Sequence, residues 1–489
     1  MRTSASILAL LLGGCAVGPN YHRASLPPAE TYTVEPLPSS LEADGTSQTL
    51  DPALPALQQW WRLFDSAALN GLMDQAFKAS PTIDAAVAAL NQARENLAAQ
   101  RGFFFPSVAA NYSGQRQKLS GNTASANAPG LQGDGNNLTP AAPAQPLTYT
   151  FHTAQLTVGF VPDVFGLNRR LVESASAQAR MAQYQLQAAY VTLASNVVAA
   201  AIQEASLREQ IAAVESMIAA NSQSLVILRA QLASGYAARL DVATQEAALA
   251  QTRLLIPPLR KQLEQTRDLL RVLAGNAPDH GVGDSFELGT LHLPARLPLS
   301  LPAALVEQRP DVRAAEEQVH AASAQVGVAV ANRFPQFNLT ADYGGNANQF
   351  AQMFTSSGTF WDVIGNATLP LFEGGTLLHR QRAAERGLEQ ATAQYRSTVL
   401  TAFQNVADAL HALDTDTEAL KLSLEAERAA RVALDLTERQ FHSGYVAELA
   451  MLSARVTYQQ AVLGSIQARA ARFGDTAALF QALGVGWSR

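Results

Sequence analysis

The chain has 489 residues, of which 48% are hydrophobic, and its 35 basic and 41 acidic residues give a net charge of -6. A chain of this size and apolar content can bury one or two substantial cores, which excludes a disordered protein. Its basic residues form no concentrated positive face, which excludes a nucleic-acid partner. A single cysteine permits no internal disulfide, and the eight histidines show no ligand spacing, so we expect no structural metal and no cofactor.

The first 14 residues are predicted to be a signal peptide. Arg2 precedes an apolar run and then small residues that lead to Cys15, which is the order of a secretory signal. The stretch LGGC ending at Cys15 resembles a bacterial lipobox, in which the thiol is acylated before cleavage. Residues 15–65 would then form a lipid-anchored N-terminal segment, and Ala16 rather than Asp favours sorting to the outer membrane. An ordinary signal peptide with a chance cysteine is the alternative.

The first predicted strands lie at residues 108–113 and 155–160, where apolar and polar side chains alternate weakly. Such alternation gives a strand one apolar and one polar face. Residues 119–146, between these strands, are rich in Gly, Asn, Ala and Pro, and they are predicted to be a surface loop.

A very long helix is predicted next. Residues 167–234 include neither Gly nor Pro, and apolar residues step by four and three from 186 to 232, with only Glu204 and Asn221 polar. This heptad seam predicts a helix of roughly 100 Å that lies along partner helices in a supercoil. A coiled coil with a purely structural role is the more common explanation of such a seam, and it stays open as an alternative. Gly235 is suited to the sharp turn that follows, and Pro257 with Pro258 should then break the next helix.

The second half of the chain repeats these signals at an offset of about 210 residues. Strand alternation is clear at residues 337–343 and 361–369, a second long helix is predicted from residue 376, and Gly444 marks its turn. The repeated units are predicted to span residues 66–280 and 309–489.

Strands of about ten residues with aromatic residues near their ends are typical of membrane β-barrels, although an amphipathic soluble sheet is the alternative. Four strands cannot close a barrel, because an open edge in lipid would leave backbone groups unpaired. If the strands span a membrane, the barrel must therefore be shared between chains, and the long helices would continue it as a helical tube.

Five stretches resemble the outer-membrane factor family, the TolC-like channels of tripartite efflux systems, in its lipoprotein branch of the NodT type. They are GCAVGPNYHR from residue 14, WWRLFDSAALNGLMDQAF from 60, RPDVRAAEEQVHAASAQVGVAVANRFPQFNLTADYGG from 309, LPLFEGG from 369 and ALGVGW from 482. The resemblance implies a mixed but mainly α membrane protein. Its homotrimer would form a 12-stranded β-barrel, four strands per chain, continued by a coiled-coil α-barrel, with residues 281–308 as a linker in an equatorial belt.

The resemblance also implies partners and a gate. The tube would reach through the periplasm from the outer membrane to a periplasmic adaptor protein and an inner-membrane pump. Its gate would lie beside the helix-turn tips at Gly235 and Gly444. Position by position, Leu449 matches an apolar constriction and Asp241 an acidic position, although a carboxylate that stabilises a helix N-terminus is the alternative for Asp241. The remaining gate candidates, where family members often carry aspartates, are Ala450 and Ser453.

The leading functional hypothesis is a passive outer-membrane channel for small molecules that a partner pump expels. An outer-membrane channel for type I protein secretion has the same architecture and stays open as an alternative. A lipid-anchored periplasmic coiled-coil scaffold would explain the heptads and Cys15 but not the alternating strands. We expect no enzyme, because the sequence has no nucleophile elbow, glycine-rich phosphate loop or metal motif.

Overall fold

The computed structural model describes residues 16–23, 31–36, 38–52, 54, 58–119, 147–279, 285–299, 302 and 308–484. Cys15, nearly all of the loop predicted at 119–146 and much of the linker predicted at 281–308 lie outside the described residues. The described chain is mainly helical and carries two sheets.

Both halves of the chain contain a helix of 22 residues, two strands and a helix of 67 residues in the same order. The first half contains β1 (Ser40–Ala43), β2 (Thr46–Asp51), α1 (Ala67–Ala79), α2 (Pro81–Gly102), β3 (Ser107–Leu119), β4 (Leu147–Phe160), α3 (Leu167–Ala233), α4 (Arg239–Leu254) and α5 (Ile256–Leu273). The second half contains β5 (Arg296–Pro298), α6 (Pro310–Ala331), β6 (Gln336–Ala347), β7 (Thr359–Thr368), α7 (Thr376–His442) and α8 (Glu448–Ala482). The break between α4 and α5 at Leu255 confirms the interruption predicted from Pro257 and Pro258.

The chain divides into two compact units. The first comprises Met1–His22, Arg94–Ser176 and His320–Glu389, and the second comprises Arg23–Ala93, Ala177–Val319 and Gln390–Arg489. Each unit draws segments from both halves of the sequence. The compact units are therefore a different division of the chain from the predicted repeats.

The heptad seam of α3 is buried or half-buried at every predicted position, which confirms the seam. Its two polar members are both paired. Glu204 lies 3.0 Å from Arg208 and 3.6 Å from Arg267 of α5. The Asn221 side chain donates to the Thr252 hydroxyl of α4 at 3.0 Å. Because a buried polar group is costly without a partner, these contacts fix how α3 aligns with α4 and α5.

The first unit contains a four-stranded antiparallel sheet in the order β3-β4-β6-β7. Its strands have 13, 14, 12 and 10 residues, so each is long enough to cross a bilayer. All four correspond to strands predicted from the alternation of apolar and polar residues. Among the described strands, β3 and β7 are the outer ones, and each has one side without a partner strand.

The second unit contains a three-stranded sheet that the sequence analysis did not predict. Strand β2 pairs with β1 in antiparallel fashion and with β5 in parallel. Arg472 of α8 is fully buried behind it and donates to the Gln48 side chain at 3.1 Å and to the Ala43 carbonyl at 2.8 Å. Its guanidinium also reaches the Leu41 carbonyl at 3.1 Å, so one arginine holds the N-terminal strands on α8.

A buried aromatic cluster packs against α8. Trp60 and Phe480 are both fully buried, and their rings stack with centroids 5.1 Å apart. Trp60 also meets the Phe64 ring edge to face at 6.2 Å. The stretch that begins WWRLF is therefore a core segment, whose large aromatic side chains bind the N-terminal region to α8.

Candidate channel surfaces and the turn ends

One face of the four-stranded sheet is apolar and exposed. Ala110, Leu156, Tyr343 and Trp361 lie opposite one another in a single row across the four strands. In one chain the Trp361 side chain is 73% exposed, and Leu156 and Tyr343 are exposed as well. The neighbouring row also has exposed valines at its two ends, Val108 and Val363. A continuous apolar face of this kind indicates contact with lipid or with another protein surface.

The other face of the sheet is polar and cross-linked by hydrogen bonds. The Asp342 carboxylate accepts from the Gln155 amide at 2.9 Å and from the Thr157 hydroxyl. Thr157 in turn accepts from the Asn111 amide at 3.2 Å. Asp362 lies directly opposite Asp342 in the next strand, so this face carries carboxylates. The sheet has the apolar and hydrated faces that the wall of a membrane pore requires.

The residues after Cys15 are fixed on the first unit. The Val17 amide donates to the Phe165 carbonyl at 3.1 Å, and Arg170 donates to the Val17 carbonyl at 3.2 Å and to Asn20 at 3.0 Å. Gly166 has a φ of +80°, and a Cβ there would lie 2.6 Å from the Ala16 Cα. Only glycine fits this close approach, so the stretch GCAVGPNYHR has a packing role in addition to the predicted acylation.

The two sharp turns have the same backbone geometry. Gly235 and Gly444 both adopt positive φ, at 81° and 76°. The Tyr236 amide donates to the Gln231 carbonyl at 2.8 Å, and the Tyr445 amide donates to the Gln440 carbonyl at 2.9 Å. Each long helix therefore ends in a Schellman motif, which satisfies its last carbonyls and reverses the chain.

The structure places the gate candidates on two helix starts. Asp241 accepts from the Ala238 amide at 2.9 Å, which is the geometry of a carboxylate that caps the first turn of α4. Leu449 is 70% exposed, and Ala450 and Ser453 are exposed on the same side of α8. None of these three side chains contributes to the core of its own chain.

Two charged residues that the sequence analysis missed lie beside these candidates. Glu448 begins α8, and its partial burial, together with the nearby charge of Asp241, raises the pKa of its carboxyl group. Arg455 donates to the Ser224 hydroxyl at 2.7 Å and pairs with Glu438 at 2.9 Å. An alignment of the two turns could have drawn attention to Glu448, because this acidic residue stands where the first turn has the basic Arg239.

Within the part of the chain that the structure describes, no three His, Cys, Asp or Glu side chains are close enough to hold a metal ion.

Comparison with known proteins identifies the family. Residues 72–276 and 301–485 match the model of the outer membrane efflux protein family. The pyoverdine export outer membrane protein OpmQ of Pseudomonas putida is 28% identical over 89% of this chain and 89% of its own length. A probable efflux pump outer membrane protein of the same species, TtgC, is 26% identical over 99% of this chain and 95% of its own.

A solved structure shows the same architecture. The outer-membrane channel OprN superimposes with a TM-score of 0.83, is 26% identical, and covers 97% of this chain and 100% of its own. These matches confirm the resemblance and the localisation predicted from the sequence. This chain therefore belongs to the outer membrane efflux protein family.

Proposed function

We propose that three copies of this chain form one passive channel, in which their sheets join into a 12-stranded barrel and their long helices continue it as a tube. The chain is an outer-membrane export protein, as its family requires. The proposal assigns no catalysis to the chain.

The observation that carries the proposal is the pair of open edges on an amphipathic sheet. Strands β3 and β7 each lack a neighbour on one side among the described strands, while the apolar face between them is exposed. Lipid cannot satisfy free backbone groups, so a sheet in a bilayer has to close on itself. Pairing β7 of one copy with β3 of the next closes the ring, and three copies of four strands give a barrel in the known size range.

The helices support the same assembly. In α3 the most apolar 18-residue window has a mean hydropathy of 1.4, and 28% of the window is buried within one chain. Much of α3 is only half-buried or exposed in one chain, and this part can pack against helices of another copy. Each chain would thus contribute α3, α7 and their neighbours to the wall of a periplasmic tube.

A duplicated architecture accounts for the pairing of elements. Helices α2 and α6 have 22 residues each, and α3 and α7 have 67 residues each. Two strands lie between α2 and α3 and two lie between α6 and α7, and a Schellman turn follows each long helix. We infer that the repeats predicted at 66–280 and 309–489 arose by duplication, so each copy in the trimer supplies two similar sectors of the wall.

The turn ends would form the periplasmic gate, with Leu449 as its apolar element and Asp241 as its acidic one. Tyr236 and Tyr445 are both strongly exposed on the turns, which suits a surface that meets a periplasmic adaptor protein. Cys15 would carry the lipid anchor in the outer membrane. The export energy would come from an inner-membrane pump, since the proposed channel is passive.

Small molecules are the proposed cargo. The similar proteins OpmQ and TtgC are named for pyoverdine export and for an efflux pump. We extend that class of cargo to this chain in preference to an unfolded polypeptide.

Light scattering on the detergent-extracted protein, with the detergent mass subtracted, tests the proposal. We expect a protein mass of three chains. A monomer that stays soluble after removal of its lipid would contradict the channel and favour a tethered scaffold.

A further inference from the structure

The first unit contains an apolar cavity of about 630 Å³ beside the anchored N-terminal residues. Its wall comes from the end of α2, the start of β3, the end of β4, the start of α3 and the start of β6. Phe103 and Phe105 on this wall are 67% and 72% exposed, although both are large apolar side chains. A cavity of this volume is in the range that holds a small ligand or one flexible chain.

Several polar groups on the wall are paired within the chain. The Asp163 carboxylate accepts from the backbone amides of Asn168 and Arg169, each at 2.9 Å, and thereby caps α3. The Gln100 amide donates to the Asn168 side chain at 2.7 Å. The rest of the wall is mainly apolar and includes Phe165 stacked on Phe337, with ring centroids 6.5 Å apart, so the site favours a hydrocarbon over a polar ligand.

The described N-terminal segment starts at this wall. Ala16 packs against Gly166, whose chain neighbours Phe165 and Leu167 both line the cavity. The hydrogen bond from Val17 to Phe165 holds the chain there. Residue 15 is bonded directly to Ala16, and consecutive Cα atoms are about 3.8 Å apart. An acyl chain on residue 15 would therefore start close to the cavity wall.

We propose that the cavity receives an acyl chain attached to Cys15, which seats the lipid anchor on the protein in addition to the bilayer. This inference rests on the lipid anchor proposed above. The Asn168 side-chain nitrogen has no hydrogen-bond partner among the described residues, so it is available to a carbonyl of the lipid linkage. A chain held in this way would fix the height of residue 15 relative to the barrel strands.

The test is photo-cross-linking with a fatty acid that carries a diazirine in its chain. Cells incorporate this acid, the purified protein is irradiated, and the cross-linked peptides are identified by mass spectrometry. We expect cross-links within residues 99–107 and 159–171. Cross-links to detergent and to the exposed strand face around Trp361, without these peptides, would overturn the proposal.

Two matched variants sharpen the result. Leu171→Trp fills part of the cavity, and Leu377→Trp places the same bulk at another half-buried position of the first unit, away from the cavity wall. We expect a several-fold loss of cavity cross-links in Leu171→Trp and none in Leu377→Trp. An unchanged pattern in Leu171→Trp would contradict the proposal.

A second measurement covers the case in which Leu171→Trp fails to fold. When Cys15→Ser is produced behind an ordinary cleavable signal peptide in place of residues 1–14, the cavity keeps its native wall but lacks the attached chain, so free diazirine fatty acid should label the cavity peptides several-fold more than in the lipidated protein. Equal labelling would overturn the inference. Failure of Cys15 to acquire any acyl chain would overturn the lipid anchor with it, whereas the trimer measured by light scattering would stand independently.

Discussion

The guanidinium group of Arg455 lies 2.7 Å from the hydroxyl of Ser224, although 231 residues separate the two in the chain. The same group pairs with Glu438 at 2.9 Å. One side chain of α8 therefore joins both long helices, α3 and α7, within about three helical turns of the sharp turns.

Replacing Arg455 by methionine should loosen the turn ends. The variant keeps the aliphatic stem but removes contacts to two helices, which together contribute about 1 to 2 kcal/mol. We expect a higher single-channel conductance in lipid bilayers. The exposed pair of Arg229 and Glu246 provides the control, since Arg229→Met should leave the conductance unchanged. Equal effects of the two variants would argue against a specific role for Arg455.

Leu449→Ser should increase leakage through the closed channel. If three copies of this exposed leucine meet at the axis, as proposed, a small polar residue there would admit water and ions. Conductance in bilayers is the measurement, and Leu422→Ser, at another exposed position of a long helix, is the control. The constriction would be refuted by a wild-type conductance of the Leu449→Ser channel.

Arg472→Met should detach the N-terminal strands. The change leaves the Gln48 side chain and the carbonyls of Leu41 and Ala43 without their buried donor. Leaving a buried neutral acceptor without its donor costs on the order of 1–3 kcal/mol. We expect a lower thermal midpoint and faster proteolysis of residues 40–51. Arg469→Met removes partly exposed ion pairs nearby and should cost less than about 1 kcal/mol.

The pair of Asp475 and Asp416 should make stability depend on pH. Burial, together with the hydrogen bond that protonated Asp475 donates to the Asp416 carboxylate and the charge of that carboxylate, raises the pKa of Asp475 from 3.8 to about 7. The folded chain therefore favours the protonated form, and this stabilisation is complete below the unfolded pKa and is lost as the pH rises through about 7.

Asp475→Asn keeps this side chain neutral at every pH. We expect a thermal midpoint above that of the wild type in alkaline buffer and close to it in acidic buffer. The exposed Asp408 of α7 offers a control, because Asp408→Asn should retain the wild-type profile. An unaltered pH profile in Asp475→Asn would show that this pair does not set the dependence.

Cys15→Ser should abolish acylation. Labelled palmitate fed to cells should enter the wild-type protein and not the variant, because this is the only cysteine in the chain. Palmitate that still enters the variant would show that the lipobox interpretation is wrong.

The features that the sequence predicted correctly are periodic and local. The heptad seam of α3 and the alternation in β6 and β7 each repeat within one segment, so no distant residue is needed to recognise them. The break at Leu255 follows from two prolines beside it. Family resemblance then supplied what periodicity could not, the class of channel.

The features that were missed depend on distant partners. Strands β1 and β5 have four and three residues, which is too short for a clear alternation, and β5 joins its sheet from far along the chain. Arg455 and Arg472 look like ordinary helical arginines in the sequence, and only the packing of other segments around them gives them a role. For Asp241 the sequence allowed two interpretations, an acidic gate residue and a carboxylate at a helix N-terminus. The structure shows the hydrogen bond that Asp241 accepts at the start of α4, and one chain alone does not show a channel axis.

In the proposed channel the outer strands β3 and β7, each without a partner strand on one side among the described residues, also constrain how the protein is assembled. A solitary chain would bring unpaired backbone groups into lipid on both sides, and in water it would expose an aggregation-prone apolar face. Neither compartment is therefore a stable destination for a single copy. Membrane entry and association of copies should be one kinetic event, with a rate that rises steeply with the concentration of newly exported chains.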